Sequence, residues 1–276
     1  MPKSDWTILL LGAGVQSSTI VLMGLAGDIE LPDCAIFADT GWEPKAVYTH
    51  LAWLEAQVEG KIPIYRVSAG NIRDDVLASL QIAKFKGRIP RLPFFTTPEG
   101  NGGIRGMLRR TCTINYKIEP SDKKIRELVG LKKRQRWPKG VTIEKWFGIS
   151  LDEAQRMRSP DAPYVSHRYP LIDLRMRRGD CVAWLTAHGY AIPPKSACIG
   201  CCFHNDRMWR ELKDGSPEEW ADAVAFDAAI RTLPGLVGGA YLHGSLIPLD
   251  RADLRTDAER GQQDLFGNEC TGLCGV

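Results

Sequence analysis

Trp6-Thr7-Ile8-Leu9-Leu10-Leu11-Gly12-Ala13-Gly14-Val15-Gln16-Ser17-Ser18-Thr19 is the stretch on which the fold turns. A short apolar run stops at a glycine turn, and a helical pattern follows from Ser17 to Ala26. The same grammar repeats twice. Cys34 to Ala38 is apolar and is stopped by Asp39-Thr40-Gly41, after which Val47, Leu51 and Leu54 fall at helical spacing within about Lys45 to Gln57. Ile62 to Val67 reads as a third strand, and Asn71 is placed to cap a helix ending near Leu80. Strand, loop and helix alternating three times predict a parallel sheet covered by helices.

Further along, a helix is expected from Pro120 to about Leu131 and a fourth strand from Glu144 to Ile149. A fifth strand is expected from Arg168 to Ile172, short or at an edge because of Pro170. Helices read at 180–188, 206–213 and 217–232, and the last 40 residues read as mostly irregular. The expectation is an α/β fold with a five-stranded, mostly parallel sheet and helices on both faces. Residues 1–190 would form the domain, and 191–276 a cysteine-bearing helical extension packed on it.

Composition fits a globular protein with a sizeable core: 44% apolar and 25% charged over 276 residues. No apolar run approaches the roughly 20 residues of a membrane span. No secretory signal is visible, so a cytoplasmic location without membrane contact is expected. The net charge of +3 conceals an asymmetry. Lys84 to Lys139 carries 16 Lys and Arg against 4 Asp and Glu, a balance of +12, which leaves −9 elsewhere. Such clustering suits a polyanion, either a phosphate-rich small molecule or nucleic acid, and equally a solvated basic surface. Within it, residues 85–111 are rich in Gly and Pro and without period, as functional loops and lids are.

The turn after the first strand has the makings of a phosphate loop. Gly12 and Gly14 let backbone N–H groups approach an anion, the next helix points its positive end there, and Gln16, Ser17 and Ser18 add neutral donors. It lacks the lysine of a Walker loop and the third glycine of a dinucleotide fingerprint. Asp39, Thr40 and Gly41 end the second strand on the same edge. They suit ribose hydroxyls, a base amine or a metal, and they also suit a plain turn.

Eight cysteines stand at 34, 112, 181, 198, 201, 202, 270 and 274. Cys34 and Cys181 lie in apolar stretches and read as small buried hydrophobes. In a reducing compartment the clustered ones point to metal binding or catalysis rather than disulfides. Cys198-Ile199-Gly200-Cys201-Cys202 can present thiolates to a metal or cluster, or act as a redox dithiol. Further ligands must come from afar; Cys112, flanked by Arg109, Arg110 and Lys117, is the candidate. His204 is a weaker candidate for zinc. Cys270 and Cys274 sit in a Gly-rich tail and suit a nucleophile that swings into a site, a cluster ligand, or neither.

Taken in order, Gly-Ala-Gly-Val-Gln-Ser-Ser, Phe37-Ala38-Asp39-Thr40-Gly41-Trp42-Glu43-Pro44 and Cys112-Thr113-Ile114-Asn115-Tyr116-Lys117-Ile118-Glu119-Pro120 resemble the sulfonucleotide reductases. These are the phosphoadenosine phosphosulfate (PAPS) and adenosine phosphosulfate (APS) reductases of the PP-loop, adenine-nucleotide α-hydrolase-like superfamily. Phe147-Gly148-Ile149-Ser150 with Glu153, Gln155, Arg156 and Arg158 is similar to their glycine–arginine segment near the phosphosulfate. Tyr169-Pro170-Leu171-Ile172-Asp173 and Gly200-Cys201 are similar to later landmarks, and Glu269-Cys270 to the ending that carries their catalytic cysteine.

The resemblance implies an adenine nucleotide held by Gly12, Gly14, Gln16, Ser17, Ser18, Asp39, Thr40, Gly41, Lys117, Gly148, Arg156 and Arg158. It also implies a [4Fe-4S] cluster on Cys112, Cys198, Cys201 and Cys202, attack by Cys270 or Cys274, and a thioredoxin-like reductant. The chain departs from the pattern in four places. Cys112 is single between Thr111 and Thr113, the doublet is at 201–202, Gly12 replaces a serine, and the tail ends in Cys-Gly-Val without histidine. A cluster held by only three cysteines would leave one iron open, as in PP-loop tRNA thiolases. The alternative expectation is therefore an ATP-dependent sulfur transferase acting on nucleic acid through segment 84–139. A third is a nucleotide- or redox-sensing binding protein without turnover.

Overall fold

The computed structural model describes residues 4–80, 92–100, 104–160, 162–233, 236, 238–255 and 259–261. Three strand–helix units open the chain: β1 (Trp6–Leu11), α1 (Val15–Ala26), β2 (Cys34–Asp39), α2 (Lys45–Gln57), β3 (Ile64–Ser68) and α3 (Ile72–Leu80). Asn71 caps α3, its Oδ1 accepting from the amides of Arg73 at 2.9 Å and Asp74 at 3.2 Å. The two-residue strands β4 (Phe95–Thr96) and β5 (Gly106–Met107) follow, then a π-helical turn over Thr113–Ile118 that continues into α4 (Glu119–Leu128). Next come β6 (Ile143–Phe147), β7 (Val165–Arg168), α5 (Pro170–Asp173), α6 (Arg178–Ala187), α7 (Asp206–Gly215), α8 (Pro217–Ala229) and β8 (Ala240–Tyr241).

The main sheet has five strands in the order β3-β2-β1-β6-β7, every pairing parallel. Strand alternation supplies two apolar faces. Leu9, Leu11, Ala35 and Phe37 pack under α1, α2 and α6 with Ile20, Leu51 and Leu185, whereas Ile8, Leu10, Cys34 and Ile36 face Ile125 of α4. The order reverses between β1 and β6, and the carboxyl ends of those strands diverge there into the crevice where open sheets of this kind take ligands.

One expectation changes. The fifth strand precedes Pro170 instead of containing it, and Pro170 opens the short helix α5. That position suits a residue whose ring presets φ and which has no N–H to contribute. The helices expected at 206–213 and 217–232 are present as α7 and α8. A second core of Trp209, Phe226, Ile230, Leu242 and Leu249 forms against Trp42, Ile72, Val76 and Phe94. Buried Asp227 organises it, accepting from the amides of Leu242 at 2.8 Å and Leu249 at 3.1 Å while pairing with Arg231. β4, β5 and β8 make a small antiparallel sheet on this side.

Cys34 and Cys181 are wholly buried, one on each face of the main sheet. Burial pushes both thiols from the ordinary 9.0 up to about 12. Both remain protonated in the folded chain at a pH where the unfolded chain has ionised, so their contribution is complete below pH 9 and is lost as pH rises toward 12. Urea unfolding across that range should show stability falling by about 1.4 kcal/mol per pH unit for each thiol. The Cys34→Ala/Cys181→Ala variant should show a shallower fall; an unchanged slope would mean that the thiols ionise in place.

Candidate functional site

The loop after β1 turns through Gly12, Ala13 and Gly14, with Ala13 at φ 55° and fully buried. Gly14 precedes α1 without a side-chain cap, and the first turn of α1 contains no acidic residue. The leading amides of that helix therefore lack both an intrahelical partner and a competing carboxylate, the condition for receiving an anion. Gly148, at the end of β6, lies across from them. A methyl group on its Cα would come within 2.9 Å of Ser17 N and 3.0 Å of Ser17 Cα. The absence of a side chain at 148 lets the end of β6 pack directly against the first turn of α1.

The predicted nucleotide residues separate into distinct roles. Gln16 is bound into a network spanning the crevice. Its Nε2 donates to Glu153 Oε2 at 3.2 Å and Ser150 Oγ at 3.5 Å, and its Oε1 accepts from Arg178 Nη1 at 3.4 Å. Arg156 pairs with Glu153 at 2.6 Å, so a phosphate arriving here competes with that carboxylate. Ser17 contacts Gly14 O at 3.4 Å. Ser18 is fully buried; its amide donates to Gly14 O and its hydroxyl meets His50 Nε2 at 2.8 Å. Burial lowers the His50 pKa, which leaves an imidazole able to accept that hydroxyl. Ser18 thus joins α1 to α2. Arg158 is exposed, and its backbone is held by Tyr169 Oη.

At the end of β2, Asp39 closes its own turn: Oδ1 accepts from Gly41 N and from Tyr48 Oη, each at 2.7 Å. Thr40 faces the opposite way, toward the cysteines. Its hydroxyl donates to Glu43 Oε1 at 2.9 Å and lies 3.2 Å from Cys198 Sγ.

Cys112, Cys198, Cys201 and Cys202 line one small cavity together with Thr40, Arg110, Thr113, Lys117, Ser196 and Phe203. Two local structures bring them there. Cys112 stands at the head of the π-helical turn, and a ladder closed from i to i+5 brings residues five apart toward one side, so Cys112 and Lys117 share the cavity wall. Tyr116 fixes that turn through a hydrogen bond to Asp75 of α3. Arg110 donates to Thr113 Oγ1 at 2.9 Å. Cys198 to Cys201 form a tight turn closed by Cys201 N to Cys198 O at 3.0 Å. That turn rests on the loop after β2, with Ile199 N donating to Trp42 O at 2.9 Å and Gly200 lying flat on the Trp42 ring.

Burial pushes the Cys198 thiol well above its ordinary value, and Glu43 raises it further while Lys117 draws it down. Glu43 is itself buried, and its Oε2 has no hydrogen-bond partner in the described structure. Among the described residues no three His, Cys, Asp or Glu side chains stand close enough to share a single metal ion. A cluster distributes its thiolates over several irons. Four thiols beside Arg110 and Lys117 are donors of the kind an iron–sulfur cluster takes. His204 is absent from the cavity wall; it packs edge-on to Trp209 at 4.6 Å, and burial holds its pKa down to about 3.

Ser196, Glu43 and Thr113 belong to this site without having been predicted. Glu43 carries no sequence signal beyond its place in Trp42-Glu43-Pro44, and Ser196 none beyond preceding Cys198 by two residues. Cys270 and Cys274 lie outside the described residues. So do residues 84–91 and 101–103 of the basic segment, and its described cations are divided. Arg110 and Lys117 reach the cysteine cavity, whereas Lys132, Lys133, Arg134, Arg136 and Lys139 occupy the loop entering β6 at the opposite edge of the sheet. A wider open groove of about 710 Å³, between the end of α2 and the start of β3, also lies on that far edge. Among the described residues, no helix is long and apolar enough to cross a membrane.

No family model matches the chain, and neither does any curated protein sequence. Among solved structures it is similar to phosphoadenylyl-sulfate (PAPS) reductase from Candida auris in a phosphate complex, at 14% identity and a TM-score of 0.41, over 68% of this chain and 75% of that one. The fold assignment stands on the order and register of the sheet itself.

Gly148→Ala should destabilise the protein by about 1–3 kcal/mol in urea unfolding, because the added methyl meets backbone instead of a movable side-chain tip. It should also weaken binding of adenosine monophosphate in calorimetry. Gly179→Ala, where nothing lies within 4 Å, is the control and should be neutral or slightly stabilising. Equal behaviour of the two variants would remove Gly148 from the crevice.

Proposed function

We propose that the chain is an adenine-nucleotide enzyme of the sulfonucleotide-reductase type, which takes PAPS or APS and releases sulfite. The observation that carries this is the convergence of four thiols and two cations on one cavity beside a capless, acid-free helix N-terminus. The nucleotide's 5′-phosphate would sit on the amides of the Gly12–Ser17 turn, which Gly148 holds close against the end of β6. Lys117 and Arg110 would face the negative charge of the sulfur end. Cys112, Cys198, Cys201 and Cys202 would hold a [4Fe-4S] cluster, which when bound supplies a rigid, charged anchor beside the reacting sulfur.

In the reaction, a tail thiolate (Cys270 or Cys274) attacks the sulfur of the phosphosulfate. A sulfur–sulfur bond forms, the sulfur–oxygen bond to phosphate breaks, and the nucleotide phosphate leaves with the electron pair. A dithiol protein of the thioredoxin kind then attacks the enzyme thiosulfonate, releases sulfite and becomes a disulfide. The thiolate is the competent nucleophile, and cations near the sulfur lower the cost of bringing an anion to it.

The test is sulfite release from PAPS or APS by anaerobically purified protein supplied with a thioredoxin system. Sulfite should appear with one nucleotide phosphate per turnover. Cys270→Ser should abolish it while nucleotide still binds, and Cys112→Ser should lower the iron content of the purified chain. Protein with its iron intact that releases no sulfite from either substrate would overturn the assignment and favour ATP-dependent sulfur transfer to a nucleic acid.

A further inference from the structure

Residues 194–197 bridge the two halves of the site. A methyl group on Gly14 would come 3.4 Å from Ser196 Cβ, 3.6 Å from Ser196 N and 3.9 Å from Pro194 O. A methyl on Gly12 would come 3.8 Å from Ser196 Oγ. Ser196 therefore lies directly over the phosphate loop. It also lines the cavity of Cys112, Cys198, Cys201 and Cys202. Ser196 thus lies both on that cavity wall and against the Gly12–Gly14 turn. A hydroxyl at this point stands where the group attached beyond a nucleotide's 5′-phosphate must pass to reach the thiols.

We infer that Ser196 is a substrate-binding residue that reads the anionic group carried on the 5′-phosphate and sets the preference for a nucleotide extended toward the cysteines over a plain monophosphate. This deepens the proposed function and rests on its nucleotide site. The chemistry recognised is an oxyanion joined through an anhydride oxygen to the α-phosphate. It has two sources, the sulfonate of a phosphosulfate and the β-phosphate of ATP. Ser196 supplies a neutral donor, and Lys117 and Arg110 supply the charge from farther along the same wall. A donor that engages only the terminal group adds affinity for the extended nucleotide and none for the monophosphate.

The experiment compares binding of AMP, APS and a non-hydrolysable ATP analogue by calorimetry, in the full chain and in Ser196→Ala and Ser196→Thr. Thermal melts check that each variant is folded. Ser196→Ala should bind APS or the ATP analogue about tenfold more weakly than wild type, with AMP unchanged, while Ser196→Thr keeps the wild-type ratio of extended nucleotide to AMP. Which extended nucleotide loses affinity identifies the source. If Ser196→Ala leaves every affinity unchanged, or weakens all three ligands equally, the role assigned to Ser196 is overturned and the nucleotide site stands. If the wild-type chain binds none of the three, the nucleotide site itself is overturned, and this inference with it.

Discussion

Gly200 rests on the face of Trp42 so closely that a single added carbon would lie 2.2 Å from the ring, and much of the molecule is arranged around that contact. Trp42 belongs to the loop leaving β2, and Gly200 to the cysteine turn more than 150 residues later in the chain. Ile199 N bonds Trp42 O, Trp42 Nε1 donates to Asp222 of α8 at 2.7 Å, and the Trp42 ring packs 4.6 Å from Phe226. One indole thus orients the extension against the ligand edge of the sheet and closes the second core. Aromatic contacts of this size are among the larger single contributions available to a chain of this length.

That seating has an electrostatic consequence. Cys198 is carried into a buried position beside Thr40 and Glu43, where an ionised sulfur is costly, while Lys117 approaches from the π-helical turn to offset part of the cost. Desolvation and the carboxylate favour the thiol, and the lysine favours the thiolate. Desolvation is the largest of these influences, so Cys198 keeps its proton. Metal coordination reverses the order, since a bound cation deprotonates its thiol outright. Cys198 in this position is a poor nucleophile at neutral pH, where the thiolate is the reactive form.

The main sheet was legible from sequence because each strand announces itself locally. β1 and β2 are apolar runs cut off by glycine turns, and both faces of each strand meet helices, so their side chains read as continuous rather than alternating. β7 was displaced by a few residues because Pro170 admits either a strand edge or the first turn of a helix, and only the packing of α5 decides between them. β4, β5 and β8 have two residues each, too short for any period to register. In the site, the turn of Cys198, Cys201 and Cys202 was readable from spacing, and Cys112 joined them only as a candidate from afar. Glu43 and Ser196 were not readable, because their relevance comes from a fold that brings residues 40, 112 and 198 together, and no local pattern encodes that.

The basic segment shows how a sum of charges differs from a surface. A balance of +12 between Lys84 and Lys139 suggests one polyanion-binding face. In a parallel sheet, however, a chain that passes from the ligand edge through a helix and back to the next strand must visit both edges. Arg110 and Lys117 precede α4 and reach the carboxyl edge, while Lys132 to Lys139 follow it and lie at the amino edge. Between them, α4 spends its own charges locally: Lys124 lies 4.3 Å over the Tyr65 ring, and Asp122 pairs with Lys145 at 2.6 Å. Among the described residues, the cations on the wall of the cysteine cavity are Arg110 and Lys117, held at close range. With a screening length of about 8–10 Å at ordinary ionic strength, the lysines of the far edge contribute little to the field there. Charge of this local kind suits a small anion gripped at one end.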